Sequence, residues 1–404
     1  MAHSARRLSW PLIEHQIINT FDYYQVSGFN FRVPINDHEF LMSDNIADKY
    51  RYRMILMLTA WLVLMVPAVG LTAGSETESG YAAVDGPCNL KFPEDHGGHP
   101  GFRTEWWYST GNLTSEQGRQ FGYQLTIFRR QISPPDAVRR WPDPASKWRT
   151  QHIYLGHAAL TDITEGRHLY SETTARGALG LAGVERKGDV VNVSIQDWSI
   201  RIRPDTHRLK AGSAAFAFDL DLTPVKNPVL HGDKGYSRKG RSPQQASCYY
   251  SFSRLAAQGI IKLNEKDFAV AGLSWMDHEF STAPLEPGLS GWDWFSIQLN
   301  DQTEIMIYLM RKEDRSFSQA SGGTFIDSEG TANHLTLEDF DIEVTKNWKS
   351  PNSQTVYPSR WTIKIPSLSM GLNVTPNLPN QEMRTPNTTN VTYWEGSVAV
   401  RGSK

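Results

Sequence analysis

Two cysteines are all that 404 residues contain, and Cys88 and Cys248 stand outside any Cys-x-x-Cys spacing. A zinc ribbon or thioredoxin-type site therefore has no support. The pair allows either one disulfide, if the chain is exported, or two buried thiols. An excess of one charge is also lacking. The 41 Lys and Arg against 43 Asp and Glu leave a net charge of −2, which gives no basic footprint for nucleic acid. There is no Gly-x-Ser-x-Gly elbow, no His-Glu-x-x-His helix, no Walker loop and no Gly-rich dinucleotide fingerprint, so the common hydrolase, zincin and nucleotide-binding sites have no carrier. No metal or cofactor is expected. Helical periodicity is scarce too: after residue 74 no 3.6-residue pattern lasts four turns, which excludes alternating strands and helices over a parallel sheet.

Long apolar runs are missing with one exception. Residues 55–73 are uncharged and mostly apolar, they follow the basic cluster Lys49-Tyr50-Arg51-Tyr52-Arg53, and they end in Leu71-Thr72-Ala73. A positive flank, an apolar core and small residues describe a secretory signal. The run is also about long enough to span a bilayer. Residues 54–73 therefore read as a signal peptide or a membrane anchor. Residues 1–53 read as an over-extended start with no domain. Either reading places the remainder outside the cytoplasm, in the periplasm or anchored to the outer face of the inner membrane.

What the chain has in quantity is aromatic: 13 Trp, 15 Tyr and 17 Phe, residues that favour strands. Phe216-Ala217-Phe218-Asp219-Leu220-Asp221-Leu222 alternates strictly, as do Val191-Val193-Ile195, Ile305-Ile307-Leu309, Phe340-Ile342-Val344 and Trp361-Ile363-Ile365. Such period-2 runs, punctuated by turn residues, predict an all-β protein with under about 10% helix, well below the usual 30–35%. The polar stretch Thr223–Gln245 is either a linker or a functional loop, and Ala246–Leu255 is expected to close a first barrel. A second set of strands is expected from near Phe268.

Three segments concentrate the chemistry: Glu105-Trp106-Trp107-Tyr108, Trp275-Met276-Asp277-His278-Glu279-Phe280 and Gly291-Trp292-Asp293-Trp294-Phe295. On a strand Trp275, Asp277 and Glu279 share one face, Met276 and His278 share the other, and Trp292 and Trp294 point together. An acid flanked by Trp is the arrangement in which desolvation raises a carboxyl pKa, and an acid protonated near neutrality can serve as a general acid. A structural Asp–His or Asp–Arg pair at a domain seam is the alternative. His157, alone in an apolar strand, is either a hydrogen-bonded core residue or part of the site. Glu105, Asp277, His157 and His278 are too scattered to argue for zinc.

These segments, with His99-Pro100-Gly101, the run Gly232-Asp233-Lys234-Gly235-Tyr236-Ser237-Arg238-Lys239-Gly240 and Tyr393-Trp394-Glu395-Gly396, resemble the AttH-like and carotenoid 1,2-hydratase family from about residue 85 to the end. The resemblance implies two lipocalin-like antiparallel β-barrels packed together, with a ligand pocket where they meet. The first domain would span residues 82–262 and the second 263–404. It also implies an exported, hydrolase-like protein that binds a lipophilic, lipid- or isoprenoid-like molecule and often works with an ABC transport system. In the hydratase branch an Asp protonates an unactivated alkene and aromatics steady the cation. Asp277 matches that acid and Trp275 the aromatic two residues before it. A second aromatic falls near Tyr249 or Tyr250. Glu105, Trp106, Trp107, His157, Tyr250, His278, Trp292 and Trp294 complete the candidate pocket. Trp-Met-Asp-His-Glu follows the AttH-like pattern more than the hydratase one. Relatives also run past the position of Gly402-Ser403-Lys404 into a closing strand, so the second barrel is expected to be short of an edge strand. Hydratase, hydrolase-like enzyme and non-catalytic lipid chaperone all remain open.

The basic flank and apolar run carry a direct test. Amino-terminal sequencing of the native protein should find residues 54–73 removed, or retained in a membrane-bound form; a cytoplasmic protein beginning at Met1 would overturn the export reading.

Overall fold

The computed structural model describes residues 80–142, 146–283, 285–314 and 316–403, together with the backbone of 16–22. The 54–73 run lies outside the described residues, among which no helix is long and apolar enough to cross a membrane. The described chain is nearly all β, with 3% helix and 60% strand, as the alternating patterns predict.

Two antiparallel sheets account for the strands. The first runs from Arg167–Arg176 through His152–Asp162, Gln120–Gln131, Thr104–Ser115, Lys266–Ser281, Ala246–Leu263, Phe216–Pro224, His207–Gly212, Trp198–Ile202 and Val190–Ile195 to Ala182–Lys187. Its edge strands are neighbours in sequence, joined by residues 177–181, and the sheet curls into a nearly closed barrel around one apolar core. The second runs from Ala332–Thr336 through Gly322–Ile326, Glu304–Lys312, Leu289–Gln298, Gln16–Asp22, Val391–Ser403, Met370–Pro376 and Val356–Ile365 to Asp341–Lys349. Its edge strands are likewise neighbours in sequence, joined by residues 337–340, and the sheet wraps a second core that includes Phe295, Trp361 and Trp394. Near-closure shields the edges of a sheet, which is the physical advantage of barrels over open sheets.

Three boundaries differ from the sequence reading. The boundary expected between residues 262 and 263 falls inside the first sheet, because Leu263 pairs with Lys266 across a two-residue turn. Asn264 and Glu265 have φ of 50° and 62° there, the left-handed pair of a tight hairpin. Residues 270–281 of Lys266–Ser281 then pair with Thr104–Ser115, and the second sheet takes up the chain at Leu289. Second, Ala246–Leu263 lies in the middle of the first sheet rather than at its closure. Third, the segment 1–53, expected to carry no domain, supplies the strand Gln16–Asp22 between Leu289–Gln298 and Val391–Ser403.

The stretch Thr223–Gln245 is not a free linker. Val229–Leu230 and Tyr236–Arg238 both pair with Ala246–Leu263. Gly232, at φ 68°, is required here: a Cβ would lie 2.2 Å from the Tyr236 carbonyl oxygen.

Patterning decides where the barrels touch. Phe216–Pro224 is buried on alternate residues only, so one of its faces is wet. Glu304–Lys312 is instead buried at every residue from Glu304 to Met310, as a strand must be when it faces its own barrel core on one side and the other barrel on the opposite side. Tyr108, Tyr249, Trp275, Trp294, Met306, Tyr308 and Met310 form the apolar seam between them. Polar clamps flank it. Glu304, fully buried, receives Arg254 at 2.5 Å and Lys226 at 2.8 Å. Gln298 donates to the carbonyls of Ser253 and Ser274 at 2.8 and 2.9 Å.

Cys88 and Cys248 are joined as a disulfide across 160 residues; the sequence had left two thiols open. It ties the segment entering the first barrel to the strand Ala246–Leu263. Replacing both cysteines by Ala should lower stability by about 2–5 kcal/mol, since a long loop is then released in the unfolded chain. Guanidinium unfolding with and without reductant measures this, and equal midpoints would contradict it.

Candidate functional site

The strand Lys266–Ser281 distributes its side chains as the alternation predicts. Trp275, Asp277 and Glu279 face the seam, while Met276 and His278 face the interior of the first barrel. Ladder pairing builds two rows across three strands: Ser251, Asp277 and Tyr108 stand side by side on one face, and Tyr250, His278 and Trp107 on the other. The predicted site residues are thereby sorted into two compartments separated by one strand.

On the seam side Asp277 is 4% exposed. Trp275 Nε1 donates to its Oδ1 at 2.6 Å, and the Ser251 hydroxyl donates to the same oxygen. Burial pushes the carboxyl up to about 7; hydrogen bonds from Ser251, Trp275 and Tyr249 oppose that rise and the charge of Glu279 adds to it. The acid is therefore held by neutral donors, not by an ion pair. Trp294 stands edge-on to Trp275 with ring centres 6.2 Å apart, Tyr108 edge-on to Trp294 at 5.6 Å, and Trp294 Nε1 donates to the Tyr249 hydroxyl at 3.1 Å. Trp106 and Trp292 pack against this cluster from its rim. Glu279, two residues on, is met by Lys239 at 3.2 Å, whose Nζ sits 5.0 Å from the Tyr249 ring centre and 4.4 Å from that of Tyr308. A cavity of about 220 Å³ lined by Arg241, Glu286, Leu289 and Lys312 adjoins the seam through Leu289.

The interior face carries a charge-balanced network. Glu105, fully buried, receives Arg129 Nε at 2.7 Å, His278 Nε2 at 2.9 Å and His99 Nδ1 at 2.7 Å. Burial alone would raise its pKa, but the hydrogen bonds from His278 and His99 and the charges of His278 and Arg129 carry it far below the usual carboxylate range. His99 also meets Asp95 at 3.1 Å; burial lowers its pKa, and the two carboxylates more than reverse that. The His99, Glu105 and His278 donor atoms lie within 4.8 Å of one another, a spacing a metal could use. Arg129 and a protonated His99 nevertheless balance Glu105 and Asp95 without an ion. Tyr250 bridges His278 Nδ1 at 3.0 Å and His96 Nδ1 at 2.7 Å, and the Trp107 ring stacks on His278 at 4.7 Å.

Three expectations need correction. His157 joins neither group. Its ring bonds Tyr393 at 2.9 Å and Thr388 at 2.7 Å, fastening the first sheet to the second elsewhere, and burial lowers its pKa to about 3. Glu105 and Trp107 do not meet Asp277: they lie on the barrel-interior face with His278, which alternation had already placed opposite Asp277. Of the two tyrosines, Tyr249 faces the seam and Tyr250 the barrel interior.

Sequence reasoning missed Ser251 and His231. His231 Nε2 lies 2.7 Å from Ser251 Oγ, and its Nδ1 lies 2.9 Å from Thr324 Oγ1 in the second barrel. The only local signal was position: His231 immediately precedes the Gly232–Gly240 run. A larger groove of about 570 Å³ lies on the outside of the first barrel. Most of its charges pair with one another, as Arg208 does with Asp219 at 2.8 Å, and it is lined by neither Asp277 nor Glu105 nor any of their partners.

The raised pKa of Asp277 has a signed consequence. Its folded value, about 7, exceeds the ordinary 3.8, so the folded protein binds the proton more tightly and stability falls as pH rises between the two. Buried neutral histidines act at the acid end: His157 and His207 are lowered to about 3 and His96 to about 4, so stability is lost as pH falls below 6.5. Asp277→Asn removes only the first effect. Relative to the parent, the variant should gain on the order of a few kcal/mol between about pH 5 and about pH 8 in urea unfolding. A constant difference would mean that Asp277 titrates normally.

Residues 83–404 match the family model described as AttH-like. The crystal structure of an AttH protein of Nitrosomonas europaea is 31% identical, with a TM-score of 0.70 over 80% of this chain and 95% of that one. Kievitone hydratase of Nectria haematococca has a TM-score of 0.55 at 12% identity, over 80% of this chain and 96% of that one; at that identity the likeness is one of fold. No curated protein matches this chain in sequence. By the span of the family match and its identity to the Nitrosomonas protein, the chain belongs to the AttH-like family.

Proposed function

We propose that the protein is an acid-catalysed hydratase, or a hydrolase-like relative of one, acting on a lipophilic, isoprenoid-like substrate at the barrel seam, with Asp277 as proton donor. One observation carries this reading: a buried carboxylic acid with a pKa raised to about 7, held by neutral donors among Trp275, Trp294, Tyr108 and Tyr249. In a hydration the Asp277 O–H bond breaks and the alkene π pair takes the proton to form a C–H bond. The carbocation left behind is attacked by water, and the proton then lost from that water restores the acid. Ring faces carry negative potential and stabilise such a cation. Oδ1 accepts from both Ser251 and Trp275, so the transferable proton belongs on Oδ2. Those donors also steady the carboxylate formed after transfer. A neighbour of the same fold is by name a hydratase, which supports the class of reaction but not a substrate.

A second reading rests on the same hydrogen bonds. Three neutral donors are enough for Asp277 to be a structural element of an apolar binding surface. The protein would then be a non-catalytic lipid-binding chaperone that hands its ligand to an ABC transport system. Export belongs to both readings, to the periplasm or to the outer face of the inner membrane through residues 54–73. It is supported by the Cys88–Cys248 disulfide, a bond that persists in oxidising compartments.

Native mass spectrometry of protein purified from its own cell envelope would identify the co-purifying molecule, which then serves as the assay substrate. Asp277→Asn keeps the shape and removes the proton, so binding should survive while turnover falls by roughly 10²–10⁴-fold. For a carrier, the same change should leave transfer intact and Trp292→Ala should do more harm.

A further inference from the structure

We propose that His231 is a positioning residue for Asp277: it directs the Ser251 hydroxyl at Oδ1, keeps the acidic proton on Oδ2, and does so through a contact that exists only when the two barrels are docked. The proposal rests on the reading of Asp277 as the proton donor.

The argument is one of hydrogen-bond direction. His231 is fully buried, and burial first, then the charges of Lys239 and His334, hold its pKa far below the ordinary value. A neutral imidazole has one N–H and one lone pair. With the proton on Nε2, His231 donates to Ser251 Oγ at 2.7 Å, Thr324 donates to Nδ1 at 2.9 Å, and the Ser251 proton is left for Asp277 Oδ1. With the proton on Nδ1 every bond reverses: Ser251 donates to His231, and Oδ1 must then be a hydroxyl that donates to Ser251. Trp275 decides between them. Its indole N–H reaches the same Oδ1 at 2.6 Å, a short bond that requires a good acceptor, and a carbonyl or carboxylate oxygen is a better acceptor than a carboxylic hydroxyl. The first direction is therefore favoured.

The chain orients a proton and does not conduct one. It ends on Thr324, which is 1% exposed. Asp277 and Ser251 belong to the first sheet and Thr324 to the strand Gly322–Ile326 of the second. His231 follows the short strand Val229–Leu230 in the segment between them. The other titratable and charged groups at this point are Tyr249, whose hydroxyl hydrogen-bonds both Ser251 and Asp277, Glu279, which acts on Asp277, and Lys239, which pairs with Glu279. The direction of the Asp277 proton is thus set by the second barrel as well as by its own sheet.

Infrared difference titration tests this independently of activity. The carboxylic C=O band that vanishes in Asp277→Asn identifies the acid, and its amplitude against pH gives the midpoint. His231→Phe and Thr324→Val should each shift that midpoint upward by about one unit, a tenfold change in the proton equilibrium, because Ser251 is no longer directed at Oδ1. His231→Gln, which can still offer Ser251 an N–H, should restore most of the parent midpoint. Thr324→Val is nearly isosteric, so the comparison survives if His231→Phe does not fold. Unchanged midpoints in both variants, with only a lower melting temperature, would make His231 purely structural and overturn the proposal. If instead the parent shows no such band near neutral pH, the reading of Asp277 as proton donor fails, a result distinct from the first.

Discussion

Where residues 274–280 lie between residues 249–255 and 107–111 the ladder is buried on both faces, and most of the remaining organisation follows from that condition. A strand with one wet face can leave polar side chains in water. Here every residue from Ser274 to Phe280 must find a partner inside protein. Alternation then divides the residues between two dry compartments, the first barrel's interior and the seam, and each compartment needs its own solution for the polar groups it receives.

Three solutions appear within a short distance. Glu105 is neutralised by Arg129 and His99 and serves as a fixed anion. Glu304 is neutralised by Arg254 and Lys226, and that pairing spans the seam. Such buried pairs cost desolvation that their attraction repays only with good geometry, so they specify an arrangement more than they stabilise it. Asp277 has neutral donors alone and responds by holding its proton. The three carboxylates differ in surroundings rather than in chemistry, and the third, without an ion pair, is raised into the range where it can give up a proton near neutral pH.

Much of this was legible in the sequence. The period-2 runs and the missing helical period gave the fold class, because alternation is a local property of extended backbone. The same property put Asp277 with Trp275 and His278 on the opposite side. The hairpin at Asn264-Glu265 has no local marker, because Asn-Glu lacks the glycine usual in such a turn, so the sequence alone does not show that Lys266–Ser281 belongs to the first barrel. His157 looked like a site residue because a polar side chain in an apolar strand needs a partner; that its partners are Tyr393 and Thr388 depends on contacts more than 200 residues away.

By itself, the sequence determined the strands, the face each residue takes along its own strand, and the gathering of acids among tryptophans, all of which arise from backbone geometry over a few residues. Only the tertiary structure decided that Tyr249 rather than Tyr250 shares the seam with Asp277, that Ser251 stands beside the acid, that His231 reaches it from a loop, and that Gln16–Asp22 fills the second sheet. Those facts depend on register between distant strands and on how two barrels dock, and register is set by packing over the whole sheet, which no local pattern encodes.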